Sequence, residues 1–109
     1  MAWVYLFFAG LLEIVWAFSL KKSAGFTVLV PSIVTAVAMA ASVILLALAM
    51  RSLPLGTAYA IWTGIGAVGA FAVGIIVLGE PATPLRITAG LLVVAGIVLF
   101  KISAAQSTP

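Results

Sequence analysis

Val28-Leu29-Val30-Pro31-Ser32-Ile33-Val34-Thr35-Ala36-Val37-Ala38-Met39-Ala40-Ala41-Ser42-Val43-Ile44-Leu45-Leu46-Ala47-Leu48-Ala49-Met50 is a run of 23 residues without one charged side chain. About 20 apolar residues of helix cross the hydrocarbon layer of a bilayer, so this run reads as a transmembrane helix. The flanking sequence repeats the pattern. Upstream, Ala2 to Leu20 is apolar except for Glu13 and closes at Lys21-Lys22-Ser23-Ala24-Gly25. Downstream, the turn formers of Arg51-Ser52-Leu53-Pro54-Leu55-Gly56 precede an uncharged run from Thr57 to Leu78, which closes at Gly79-Glu80-Pro81. The last run, Ile87 to Phe100, has 14 residues, and a snorkelling Lys101 lets the helix continue toward Ala105.

Composition agrees with a lipid environment. Of 109 residues, 66% are hydrophobic and 6% charged, where a soluble domain carries about 25% charge. A soluble globule and a disordered chain are both excluded. The absence of Cys and His removes disulfides, thiolate chemistry and the usual zinc sites, so no metal and no cofactor are expected. No nucleophile–base pair is present, which argues against an enzyme. Five basic residues spread along the chain form no patch for nucleic acid. The first run lacks a basic leader and its lysines follow it, unlike a cleaved signal peptide. The expected fold is an all-α integral membrane protein, one domain over residues 1–109. Its four transmembrane helices run at about 2–20, 28–50, 57–78 and 87–105, joined by short loops and followed by the tail Gln106-Ser107-Thr108-Pro109.

Orientation is nearly undetermined by charge. One side of the membrane would hold Arg51 and Lys101, the other Lys21, Lys22 and Arg86. The positive-inside rule needs a clear excess to choose, so this bias permits both insertions and an antiparallel pairing of opposite copies. Small residues offer seams for packing: Gly66, Ala70 and Gly74 on helix three suit internal contacts, and Ala89 and Gly96 on helix four suit either internal packing or a dimer seam.

Glu13 lies just past the middle of its span. An ionised acid there is costly, so it is protonated, bonded to a neighbouring helix or paired with a cation. No basic residue lies inside any span to serve as a permanent partner. Gly10 and Trp16, three residues before and after, share its helix face, giving open space and an aromatic surface. Trp16 reads as a site residue or as an interfacial anchor. Tyr59 and Trp62 share a face with Gly66 and divide between a site role and the interfacial belt. Ser42 either back-bonds to the Ala38 carbonyl or orients the Glu13 carboxylate. Gly64-Ile65-Gly66-Ala67-Val68-Gly69 matches a dinucleotide fingerprint in spacing only, because it lies inside an uncharged span with Ala89 where the acid belongs. Gly64 and Gly66 read instead as a flexible point, a hinge that bends during transport.

Gly10-Leu11-Leu12-Glu13-Ile14-Val15-Trp16-Ala17, Leu20-Lys21, Gly25-Phe26-Thr27 and the long segment Leu53 to Ala67 resemble the small multidrug resistance family, most closely its guanidinium-exporter branch. The likeness covers nearly the whole chain. It implies an antiparallel dual-topology homodimer in a bacterial inner membrane, alternating access between the two faces and exchanging protons for a cation. Glu13 of both protomers would bind substrate and protons; Ser42, Tyr59 and Trp62 would hydrogen-bond that carboxylate, and Gly10 and Trp16 would line the pocket. Lys101 matches a basic residue that the branch also carries near the end of helix four. Two departures are Lys22, a second charge in the first loop, and Ala89, where the multidrug branch tends to carry Gly.

Guanidinium suits such a site chemically. It is planar, permanently charged and presents forked N–H donors to a carboxylate, with aromatic faces alongside. Three other functions remain open at this point. A polyspecific exporter of quaternary ammonium ions would need a wider aromatic cage, a channel would pass ions without proton coupling, and an assembly subunit would work only with a paralogous chain.

Overall fold

The computed structural model describes residues 1–106; the last three residues of the expected tail, Ser107, Thr108 and Pro109, lie outside it. Four helices follow one another: α1 (Ala2–Lys22), α2 (Leu29–Ala49), α3 (Leu55–Ile76) and α4 (Pro84–Gln106). A helix of 21 residues, such as α1, is about 31 Å long at 1.5 Å per residue, one hydrocarbon thickness. All four are long and apolar enough to cross a membrane.

Local chemistry sets the helix ends and moves several of them from the expected positions. α4 begins at Pro84 rather than at Ile87. The Thr83 hydroxyl accepts the Arg86 N–H (3.2 Å), and proline in the first turn has no N–H to waste there. α3 likewise starts at Leu55, straight after Pro54, and ends at Ile76 rather than Leu78. Gly79, at φ 70°, then turns the chain so that the Glu80 N–H returns to the Gly74 carbonyl (3.0 Å). α1 extends through Lys21 and Lys22, whose charges favour a helix C-terminus. Its last turn is closed by Ser23, which donates to the Leu20 carbonyl (2.7 Å) and accepts from the Phe26 N–H (3.1 Å).

In space the helices form a row, α2–α1–α3–α4, with only slight contact between α2 and α3. The result is a slab 48 × 34 × 17 Å. Its core, Leu6, Ala9, Leu46, Ala49, Ala58, Ile61 and Trp62, joins α1, α2 and α3 toward the Arg51 end of the slab. Among the described residues, α4 packs beside α3 alone; the Lys101 ammonium also reaches over the Trp3 ring, 5.5 Å from its centroid. No residue of the α4 span is buried. Ala89 is exposed and a Cβ on Gly96 would meet nothing within 4 Å, so the expected dimer seam has no partner among the described residues.

Candidate functional site

α1 stands inside the row, between α2 and α3, and its Glu13 turns toward α3. The carboxylate rests directly on Gly66: a Cβ at position 66 would lie 2.7 Å from Glu13 Cγ and closer still to Oε1. Glycine is what lets the acid fit between two helices. One turn to either side the same seam holds other interlocked pairs. Ile65 fills the space above Gly10, where a Cβ would lie 2.8 Å from Ile65 Cβ, and Ile14 fills the space above Gly69. Close approach of this kind is how membrane helices gain van der Waals contact when lipid is as apolar as leucine.

The glycine series on α3 thus divides by direction. Gly66 and Gly69 receive side chains of α1, while Gly64 receives Ile97 of α4, with a Cβ there 2.8 Å from Ile97 Cγ1. The helix runs unbroken through all three, so the two residues expected to form a hinge occupy packed positions in this conformation.

Beside this seam lies a buried polar chain. Trp62 Nε1 donates to Ser42 Oγ (2.9 Å), and Ser42 Oγ donates to the Ala9 carbonyl (2.6 Å). Ser42 therefore takes neither expected partner: it bonds across helices to α1, not back to Ala38 and not to Glu13. The Ala9 carbonyl lies four residues before Glu13, so the bond fixes α2 and α3 against the turn of α1 that presents the acid. Tyr59 is exposed, with its ring 5.6 Å from that of Trp62. Among the described residues of one chain, then, Ser42, Tyr59 and Trp62 do not hydrogen-bond the Glu13 carboxylate.

Among the described residues, two buried polar atoms are left without a hydrogen-bond partner, Glu13 Oε1 and Trp16 Nε1. They stand on one helix face three residues apart. Most buried polar groups find a hydrogen bond, and an acceptor and a donor unused on the same face mark a place able to take a ligand with both. A carboxylate here can hold a proton or a small cation, and in a low-dielectric setting it will not readily stay empty-handed. The sequence reading missed Ile65, Gly69 and the Ala9 carbonyl. Only Gly69 carried a visible signal, as the third glycine of the motif on α3.

Four apolar helices with a carboxylate at mid-span define a small multi-pass membrane protein with an acid inside the membrane, the kind of group that serves ion and substrate pathways. The family model described as Small Multidrug Resistance protein matches residues 1–94. The guanidinium exporter of Yersinia pestis is 60% identical over 103 residues, covering 94% of this chain and 99% of that protein. The guanidinium exporters of Citrobacter freundii and Escherichia coli (strain K12) are 57% and 56% identical, each over 94% of this chain and 98% of its relative. The chain belongs to the small multidrug resistance family.

Proposed function

We propose that this protein exports guanidinium in exchange for protons across a bacterial inner membrane. The observation that carries the reading is the Glu13 carboxylate, set between α1 and α3 at mid-span with Oε1 unpartnered. Relatives named guanidinium exporters, at 56–60% identity over nearly their whole length, supply the substrate class. Guanidinium offers N–H pairs that match a carboxylate edge, and the Trp16 ring beside Glu13 offers a face for its flat cation.

The working form is an antiparallel homodimer. Opposite insertion brings two Glu13 carboxylates to one central site, where Trp16, Ser42, Tyr59 and Trp62 line and orient it; Gly10, expected to leave open space there, instead admits Ile65 of α3. The exposed α4, with Ala89 and Gly96, forms the contact between copies. Coupling follows from charge: an empty ionised site is costly in the membrane, so each carboxylate crosses carrying either a proton or a share of the cation. Gly64 and Gly66 on α3 are the points where the helix yields as access alternates.

The test is a proteoliposome assay. An imposed guanidinium gradient drives proton movement in the opposite sense, and Glu13→Gln abolishes it while leaving the helical circular dichroism unchanged. Transport of quaternary ammonium without guanidinium would overturn the reading in favour of a multidrug exporter. Guanidinium current indifferent to the proton gradient would overturn it in favour of a channel.

A further inference from the structure

The seam that holds Glu13 continues to the membrane surface. From Glu13 it passes Ala17 and Lys21 on α1, and from Gly66 it passes Ala70 and Gly74 on α3, each a single turn further on. Ala17, Lys21, Ala70 and Gly74, with Phe71 and Glu80, line a cavity of about 340 Å³ that begins one turn beyond Glu13 and Gly66. Glu80 stands at its mouth. The Gly79 turn and the bond from the Glu80 N–H to the Gly74 carbonyl bring its carboxylate against Gly74, where a Cβ would lie 2.9 Å from Glu80 Cδ. Gly74 is therefore to Glu80 what Gly66 is to Glu13, two helical turns or about 12 Å along the same helix.

Glu80 already faces a guanidinium group. The Arg86 side chain lies with its Nη2 3.8 Å from Glu80 Oε1 and its Cζ 5.4 Å from the centre of the Phe71 ring. Carboxylate on one edge and aromatic ring on one face are the contacts that recognise a guanidinium ion. At 3.8 Å, however, the pair makes no hydrogen bond, and both side chains are two-fifths exposed, so the contact is weak and easily exchanged.

We propose that Glu80 and Phe71 form an outer station for the transported cation, which displaces Arg86 on its way to or from Glu13. This rests on the guanidinium reading above. A free guanidinium can set two N–H groups squarely on the carboxylate, which Arg86, tied to the first turn of α4, does not. Glu80 is also the only acid among Lys21, Lys22 and Arg86 at this end of the slab, so without it a cation approaches a purely positive rim. Arg86 acts as the resident competitor, and its return to Glu80 clears the station after the cation leaves.

The experiment compares reconstituted wild-type protein with Glu80→Gln, Arg86→Ala, the double variant and Lys22→Gln, reading initial rates of guanidinium-driven proton movement against guanidinium concentration. At about 0.01 M ionic strength, Glu80→Gln raises KM about threefold with kcat unchanged, as loss of the carboxylate contact at an outer station does. Arg86→Ala lowers KM by a similar factor, and that gain vanishes in the double variant. Lys22→Gln, which removes a charge without freeing Glu80, leaves KM within error. At about 0.15 M salt the Debye length falls to about 8 Å, shorter than the Glu80–Glu13 path, and the Glu80 effect shrinks. The proposal is overturned by an unchanged KM in Glu80→Gln, by a benefit of Arg86→Ala that persists without Glu80, or by Lys22→Gln matching Arg86→Ala. A fall in kcat and melting temperature alone would make Glu80 merely structural and overturn it as well. If the wild-type protein itself moves no protons, the guanidinium reading fails first and takes this one with it.

Discussion

Replacing Gly66 by alanine puts a methyl group where the Glu13 side chain now lies. The new Cβ would stand 2.7 Å from Glu13 Cγ and closer still to the carboxylate itself, far inside van der Waals contact. The acid must swing away or the helices must part. Overpacking of this order costs about 1–3 kcal/mol. If the cation-bound state needs the present Glu13 position, that cost weakens guanidinium binding by about five- to 150-fold, at 1.4 kcal/mol per tenfold. Gly64→Ala and Gly69→Ala serve as controls, because they collide with Ile97 and Ile14 rather than with the carboxylate. All three variants lower the melting temperature in detergent; only Gly66→Ala also loses equilibrium guanidinium affinity, read from quenching of Trp16 and Trp62 fluorescence. Should Gly66→Ala bind normally while Gly64→Ala does not, the glycines act through helix bending and the steric account is wrong.

Other consequences are open to direct measurement. Ser42→Ala leaves Trp62 Nε1 buried without its acceptor, and at about 0.6–1.7 kcal/mol per interhelical hydrogen bond it lowers the melting temperature by a few degrees; an unchanged melt refutes that role. Guanidinium affinity falls as pH falls, approaching about tenfold per unit in acid if one proton is exchanged at Glu13, because proton and cation compete for the same oxygens. The opposite slope would exclude Glu13 as the shared site. The chain has no cysteine, so Ala82→Cys in the exposed third loop supplies a unique label. An impermeant maleimide reaches about half of the molecules from each side of the membrane if the weak charge bias leaves insertion undecided; labelling from one side only refutes dual topology.

The four spans could be read from sequence because every charge except Glu13 falls at or near their ends, where it can reach the interface. Helix ends were less accessible. The start of α4 depends on the Thr83 hydroxyl capping the Arg86 N–H, a contact that hydropathy does not contain. Around the acid, the shared face of Gly10, Glu13 and Trp16 follows from helical period alone. What faces it does not. Ser42 bonds Ala9 rather than Ala38 because α1 and α2 pack closely enough for a cross-helix partner, and that register is set by side-chain fit along the whole contact. Likewise, three glycines within six residues of α3 look alike as letters, yet Gly64 serves α4 while Gly66 and Gly69 serve α1. Their directions emerge only when both neighbours are in place.

The bare flank of α4 has a bearing on how this protein must be handled. A span with no buried residue contributes little to the cohesion of its own chain. If another copy provides the missing cover, stability becomes a matter of lateral density. Diluting the protein in lipid or in excess detergent would then lower its melting temperature without altering one covalent bond. Two laboratories working at different protein-to-lipid ratios would be weighing different molecules.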